Sequence, residues 1–151
     1  MNVPDGFQPL FRTSPAIDLI GPIYCKGSGR DLVLGLRVEK KHCNARDIVH
    51  GGILATLADL ALGYTTAFAN DTPQAMVTVN LSLDYAGNAK VGDWLEAAVE
   101  VQKLGARLAF ANGYIRRGSE RIVRASAVFM LPLPKARPED QASHHANEPN
   151  D

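Results

Sequence analysis

The segment His50-Gly51-Gly52-Ile53-Leu54-Ala55-Thr56-Leu57-Ala58-Asp59-Leu60-Ala61-Leu62-Gly63-Tyr64-Thr65-Thr66-Ala67-Phe68-Ala69 contains one acidic or basic side chain after its histidine. Ile53, Leu54, Leu57, Leu60, Leu62 and Tyr64 cover most of a helical wheel. The stretch therefore reads as a helix from about residue 51 to 69 that is buried nearly all round. A mid-helix carboxylate among Leu57, Ala58, Leu60, Ala61 and Leu62 costs several kcal/mol unless it finds partners or its pKa rises. Asp59 also sits too deep in the helix to cap it. A chemical role, or a bond to a buried loop or a partner chain, would each explain it.

Gly52, Thr56, Asp59, Gly63 and Thr66 are spaced four, three, four and three apart, so they share one face of small or polar residues. Such a face admits a second backbone or a thin ligand. At the helix start, Gly51 and Gly52 expose N–H donors that no Cβ shields. With the helix dipole they form a site for an anion or a carbonyl oxygen. A plain loop-to-helix turn, oriented by His50, is the simpler alternative. Gly52 and Asp59 lie seven residues apart, roughly 10 Å along the axis. A base must come within about 3–3.5 Å of its reaction partner. If both act on one substrate, Asp59 must come from a second, antiparallel copy, which predicts a homodimer with two composite sites.

Outward from this helix, the flanks read as strands. Residues 32–38 form one strand before it, and residues 39–47 a polar loop. After it, Val77, Val79, Leu81 and Leu83 alternate within a strand over 74–85, and Leu95, Ala97, Val99 and Val101 within another over 93–104. Residues 107–116 and 121–131 are two more, joined by Arg117-Gly118-Ser119-Glu120 rather than at Asn112-Gly113, since that choice gives strands of matched length. One buried helix beside a mostly antiparallel sheet is an α+β arrangement. Phe7, Leu10, Phe11 and Ser14 are spaced for a short amphipathic helix over about 7–14, followed by extended backbone at Ser14-Pro15. A strand begins near Gly21-Pro22, and residues 26–31 are a turn; their Gly-x-Gly lacks the remainder of a phosphate loop. Residues 1–131 are read as one domain. Residues 132–151 carry four prolines, clustered charge and the pair His144-His145, and are read as a disordered, solvated tail.

With 151 residues the chain can bury a core of its own. Sixteen basic and sixteen acidic residues leave no net field to attract nucleic acid or an anionic membrane. Cys25 and Cys43 fit neither a metal spacing nor a disulfide framework. The first residues lack a signal-peptide pattern, and the apolar helix holds Asp59 and three threonines. The expectation is a cytoplasmic protein that binds neither membrane nor nucleic acid.

The motif from Asn44 through His50-Gly51-Gly52 to Asp59 closely resembles the signature of hotdog-fold acyl-CoA thioesterases of the phenylacetate-degradation (PaaI) type, and the likeness spans about residues 19–131. The resemblance implies a long central helix wrapped by an antiparallel sheet, in dimers and often dimers of dimers. It implies hydrolysis of an acyl-CoA to a free acid and coenzyme A. No metal or redox cofactor is then needed, because coenzyme A belongs to the substrate. By the same resemblance, amides near Gly51 and Gly52, with Asn44, polarise the thioester carbonyl. Asp59 of the partner chain serves as general base or nucleophile, Thr78 helps hold the attacking water, and His50 supports Asn44 and the turn. The segment Tyr85, Ala86, Gly87, Asn88 and Lys90, and that of Lys103, Gly105 and Arg107, match stretches lining the CoA channel. Lys103, Arg107, Arg116, Arg117, Arg121 and Arg124 form a basic run suited to phosphates, or else a solvated strand face. Leu54, Leu57, Tyr64 and Phe68 are candidates for the acyl pocket, whether the acyl group is aryl or short to medium chain. Asp47 departs from the pattern, where relatives often have Gly. A non-catalytic acyl-CoA sensor is the main alternative; a hydratase on the same scaffold would pair its acid and histidine differently.

Overall fold

The computed structural model describes residues 2–133. The proposed tail from 134 onward, with His144 and His145, lies outside the described residues. Two short strands, β1 (Gln8–Pro9) and β2 (Ile23–Lys26), flank helix α1 (Pro15–Ile20), and β3 (Val33–Arg37) follows. Then come the long helix α2 (Gly51–Ala67) and strands β4 (Val77–Tyr85), β5 (Trp94–Leu104), β6 (Leu108–Arg117) and β7 (Glu120–Met130). All pairings are antiparallel, in the order β1-β2-β3-β5-β6-β7-β4.

The alternation in β5, β6 and β7 decides which face of the sheet is covered. Leu95, Ala97, Ala109, Ala111, Ile115, Val123, Ala125, Ala127 and Phe129 are buried. They meet Leu54, Leu57, Ala58, Ala61 and Leu62 of α2, which lies across β3 and β5–β7. Alanines in the strands let the helix settle close to the sheet, and large residues fill the gaps between. The turn at Gly118-Ser119 joins β6 to β7 as the matched strand lengths require, with Arg117 paired to Glu120.

The expected helix over 7–14 does not form. Ser14 is extended, as a residue before proline should be, but it caps a helix instead of ending one: its Oγ accepts from the Ile17 N–H at 3.3 Å, with Pro15 in the first turn. The apolar residues before it serve separate partners. Phe7 packs edge-on against Trp94 with centroids 5.1 Å apart, while Phe11 does so against Tyr64 at 5.7 Å and Phe68 at 5.1 Å. β1 lies between them and pairs with β2.

At the opposite edge, β4 has no strand beyond it among the described residues. Val77 and Val79 on this edge are 64% and 56% exposed. The alternation read over 74–85 does form a strand, but only Leu81 and Leu83 of its apolar set pack against the core. A nine-residue edge with bare valines is a template for a further strand.

Candidate active site

The segment 43–50 reaches α2 through a tight loop built on its side chains. Asn44 Oδ1 accepts from the N–H groups of Arg46 (2.9 Å) and Ile48 (3.3 Å), so the side chain shapes the loop. Asp47 has φ +57°, in the left-handed region that glycine occupies freely and Asp tolerates. This accounts for Asp standing where relatives often carry Gly. Its carboxylate also bonds Lys40 Nζ at 2.8 Å and holds that ammonium's pKa above the usual lysine value, first through the hydrogen bond and then through charge. Asp47→Gly is expected to leave the unfolding free energy within about 0.5 kcal/mol. Asp47→Val, a β-branched residue forced to positive φ, should lower it by about 1–3 kcal/mol in urea titration.

His42, which drew no attention in the sequence, is buried beneath this loop. Its Nδ1 accepts from the Glu39 N–H at 2.9 Å and its Nε2 lies 2.6 Å from the Ile20 carbonyl, which fixes the neutral tautomer with hydrogen on Nε2. His50 bonds through its own N–H to the His42 carbonyl at 2.8 Å.

At the helix start the two glycine amides differ. Gly52 N–H donates to His50 Nδ1 at 3.1 Å, so the His50 side chain caps the helix and holds the turn, with no hydrogen bond to the Asn44 side chain among the described residues. Ile53 and Leu54 N–H both donate to the His50 carbonyl. Gly51 N–H is left with no acceptor among the described residues. Tyr85 lies over Gly51, its hydroxyl donating to the Gly51 carbonyl at 2.9 Å. A Cβ added at Gly51 would meet the Tyr85 ring at 3.5 Å, an ordinary contact.

Two turns further along α2, Asp59 is half-buried and accepts from Thr78 Oγ1 at 2.9 Å. The bond ties the helix to the first turn of β4, where a register shift between Thr78 and Asn80 bulges the strand. A cleft of about 420 Å³ opens beside the carboxylate, with walls from Leu60, Tyr64, Phe68, Met76 and Phe129. Of the four residues read as candidates for an acyl pocket, Tyr64 and Phe68 line this cleft. Leu54 and Leu57 are instead core residues against the sheet.

The expected channel segments occupy opposite ends of the sheet. Tyr85 to Lys90 lies beside Gly51: Ala86 and Gly87 N–H both donate to the Ile122 carbonyl, and Ile48 bridges to Lys90. Lys103, Gly105 and Arg107 lie at the far end with Val77, Met130 and Asp59's partner Thr78. A single chain therefore brings Asn44, His50, Gly51, Gly52, Tyr85, Asn88 and Lys90 together at one end, and Asp59, Thr78, Lys103 and Arg107 at the other.

The basic run does not form one patch. Arg117 pairs with Glu120 and with Asp93 at 3.8 Å, and donates to the Asn88 carbonyl at 2.9 Å. Arg124 grips Asp84 through Nε and Nη2 at 3.0 and 2.9 Å, and Arg121 stacks over Tyr114 at 3.9 Å. Cations cluster elsewhere: Lys40, Arg46 and Lys90 line a groove of about 650 Å³ with Asp47, Ile48, Asn88 and Val91, next to the Gly51 turn. Loop 40–48 and the bridge to Lys90 assemble it from residues up to fifty apart, which no local pattern announces. Among the described residues no His, Cys, Asp and Glu group is placed to hold a metal, and no helix is long and apolar enough to cross a membrane.

A long helix laid across one face of an antiparallel sheet, with an acid in mid-helix and a glycine turn at its start, defines a hotdog enzyme fold. The sequence profile of the thioesterase superfamily matches residues 47–123, and the chain belongs to that superfamily of thioester hydrolases. The protein PA0474 of Pseudomonas aeruginosa, named provisionally as an esterase, is 54% identical over 133 residues, 87% of this chain and 99% of its own. Mouse acyl-coenzyme A thioesterase 13 is 30% identical over 81 residues, 54% of this chain and 57% of its own. Among solved structures, E. coli PaaI of the phenylacetic acid degradation operon superposes with a TM-score of 0.72 at 20% identity, over 80% of this chain and 86% of its own. A Streptococcus pneumoniae thioesterase protein solved with coenzyme A does so at 0.71 and 19%, over 80% and 93%.

Proposed function

We propose that the protein hydrolyses acyl-CoA thioesters at two equivalent sites, each shared between the protomers of a homodimer. The observation that carries this reading is the Asp59 carboxylate, fixed by Thr78 on the floor of an apolar-walled cleft, at the opposite end of the sheet from the free Gly51 amide. Two β4 edges pairing antiparallel about a twofold axis would cover Val77 and Val79, and would carry the Tyr85 end of one strand to the Thr78 end of the other. Gly51 N–H of one protomer then faces Asp59 of its partner, a meeting that the roughly 12 Å between these residues along one helix rules out within a single chain.

In that site the Gly51 N–H, backed by the helix dipole, polarises the thioester carbonyl and stabilises the oxyanion. Asp59 takes a proton from water as the water oxygen adds to the carbonyl carbon, or attacks the carbon itself. In the latter case water hydrolyses the resulting mixed anhydride after the thiol has left, freeing the acid and restoring the carboxylate. Collapse of the adduct breaks the carbon–sulfur bond, and the coenzyme A thiolate leaves with a proton. Thr78 holds Asp59, and through it the water. Arg46 and Lys90 hold the phosphates of coenzyme A, a role that fits two cations with no ion-pair partner among the described residues better than the engaged Arg117 and Arg124. Lys103, Gly105 and Arg107 reach the same channel from the partner. Neither side requires a metal or redox cofactor.

Thiol release from a panel of acyl-CoAs tests the proposal: turnover is expected, and its absence for every acyl length and for aryl groups would overturn it. A protein with Arg46 and Lys90 both replaced by alanine should show KM raised about tenfold with kcat little changed, and a KM less sensitive to salt.

A further inference from the structure

We infer that Arg12 selects acyl groups that end in a carboxylate, so that the preferred substrates are monothioesters of dicarboxylic acids. This inference rests on the proposed hydrolysis at Asp59 and adds a substrate class to it. Arg12 lines the cleft beside Asp59 and is the one cation among its lining residues. The other lining residues are apolar or aromatic, apart from Asp59, Gln74 and Thr78.

Arg12 is itself exposed, and three contacts of its chain neighbours place the backbone that carries it. β1 pairs with β2, the Leu10 N–H donates to the Ile23 carbonyl at 3.0 Å, and the Phe11 ring is wedged against Tyr64 and Phe68. Arg12 therefore stands by the C-terminal half of α2. Asp59 precedes Tyr64 and Phe68 by five and nine residues, roughly 8 and 14 Å along the axis. Thioester chemistry would occupy one end of the cleft and the guanidinium the other.

The guanidinium has no ion-pair partner among the described residues. Asp18, which shares a neighbouring groove with it, accepts instead from Thr13 Oγ1, and Lys41 of that groove donates to the Gly21 carbonyl. Because Arg12 is exposed, a plain alkyl tail along Leu60, Tyr64, Phe68 and Met76 would leave the guanidinium in water and gain nothing from it. A terminal carboxylate would meet its planar fork with two oxygens. Asp59, the only acid of the cleft, repels that carboxylate toward the Arg12 end, so charge orients the substrate as well as binding it.

The test compares suberyl-CoA with octanoyl-CoA, equal in chain length and different at the tip, for the native protein, Arg12→Met and Arg12→Lys. Native kcat/KM for suberyl-CoA should exceed that for octanoyl-CoA by about fivefold. Arg12→Met should bring the ratio to one or below, mainly through KM, and Arg12→Lys should keep part of it. A native preference for octanoyl-CoA, or an Arg12→Met protein slowed equally on both, would overturn the inference while hydrolysis itself stands. Failure of the native protein on every acyl-CoA would instead remove the proposed function, and this inference with it.

Discussion

Asp59→Asn is expected to lower kcat for any acyl-CoA substrate by about 10²–10⁴. The amide keeps the shape of the carboxylate and can still accept from Thr78 Oγ1, so the tie between α2 and β4 survives. What disappears is the charge that takes a proton from water or attacks carbon. Because Asp59 is half-buried and outside the main core, the thermal midpoint should move little while turnover collapses. A kcat within tenfold of native, on folded protein, would mean that the acid is structural.

The second large effect is expected from Gly51→Pro. Gly51 is the first residue of α2, where proline's fixed φ and missing N–H are both compatible with a helix. His50 already has φ −65° and ψ 135°, the conformation that a residue before proline prefers. The substitution thus removes the amide of the turn that has no acceptor among the described residues and spares the Gly52 bond to His50. Loss of an oxyanion donor of this kind costs about 10²–10³ in kcat. Circular dichroism should show the helix intact. If turnover stayed within threefold of native, the carbonyl would have to be polarised from elsewhere.

Most of the fold was legible in the sequence because its longest elements announce themselves through period. The helix over 51–67 and the strands β5, β6 and β7 each bury a repeating set of residues, and burial of that set fixes the element. The N-terminal error shows where period misleads. Phe7, Leu10 and Phe11 match helical spacing by chance, since Phe7 serves Trp94 and Phe11 serves Tyr64 and Phe68. Ser14-Pro15, read as a stop, carried the opposite signal of a cap followed by a first-turn proline.

The site was legible in part for the same reason. Asp59 and the two glycines stand out within one helix, whereas the difference between the amides of Gly51 and Gly52 depends on where a histidine ring points. The six basic residues from Lys103 to Arg124 resembled a phosphate site because their acidic partners Asp84 and Asp93 lie on other segments. Lys40, Arg46 and Lys90 converge only through the bridge from Ile48 to Lys90. Arg12 likewise reaches the Asp59 cleft through contacts of Phe11 that no local pattern encodes.

The shared site can be tested directly by mixing two inactive proteins. Asp59→Asn and Gly51→Pro subunits, unfolded together and refolded at equal concentration, should form about half mixed dimers, each with one site carrying both defects and one carrying neither. Thiol release should then recover to about one quarter of the native rate. Recovery no greater than the sum of the two parents, with mixed dimers demonstrated by native mass spectrometry, would contradict a site built from two chains.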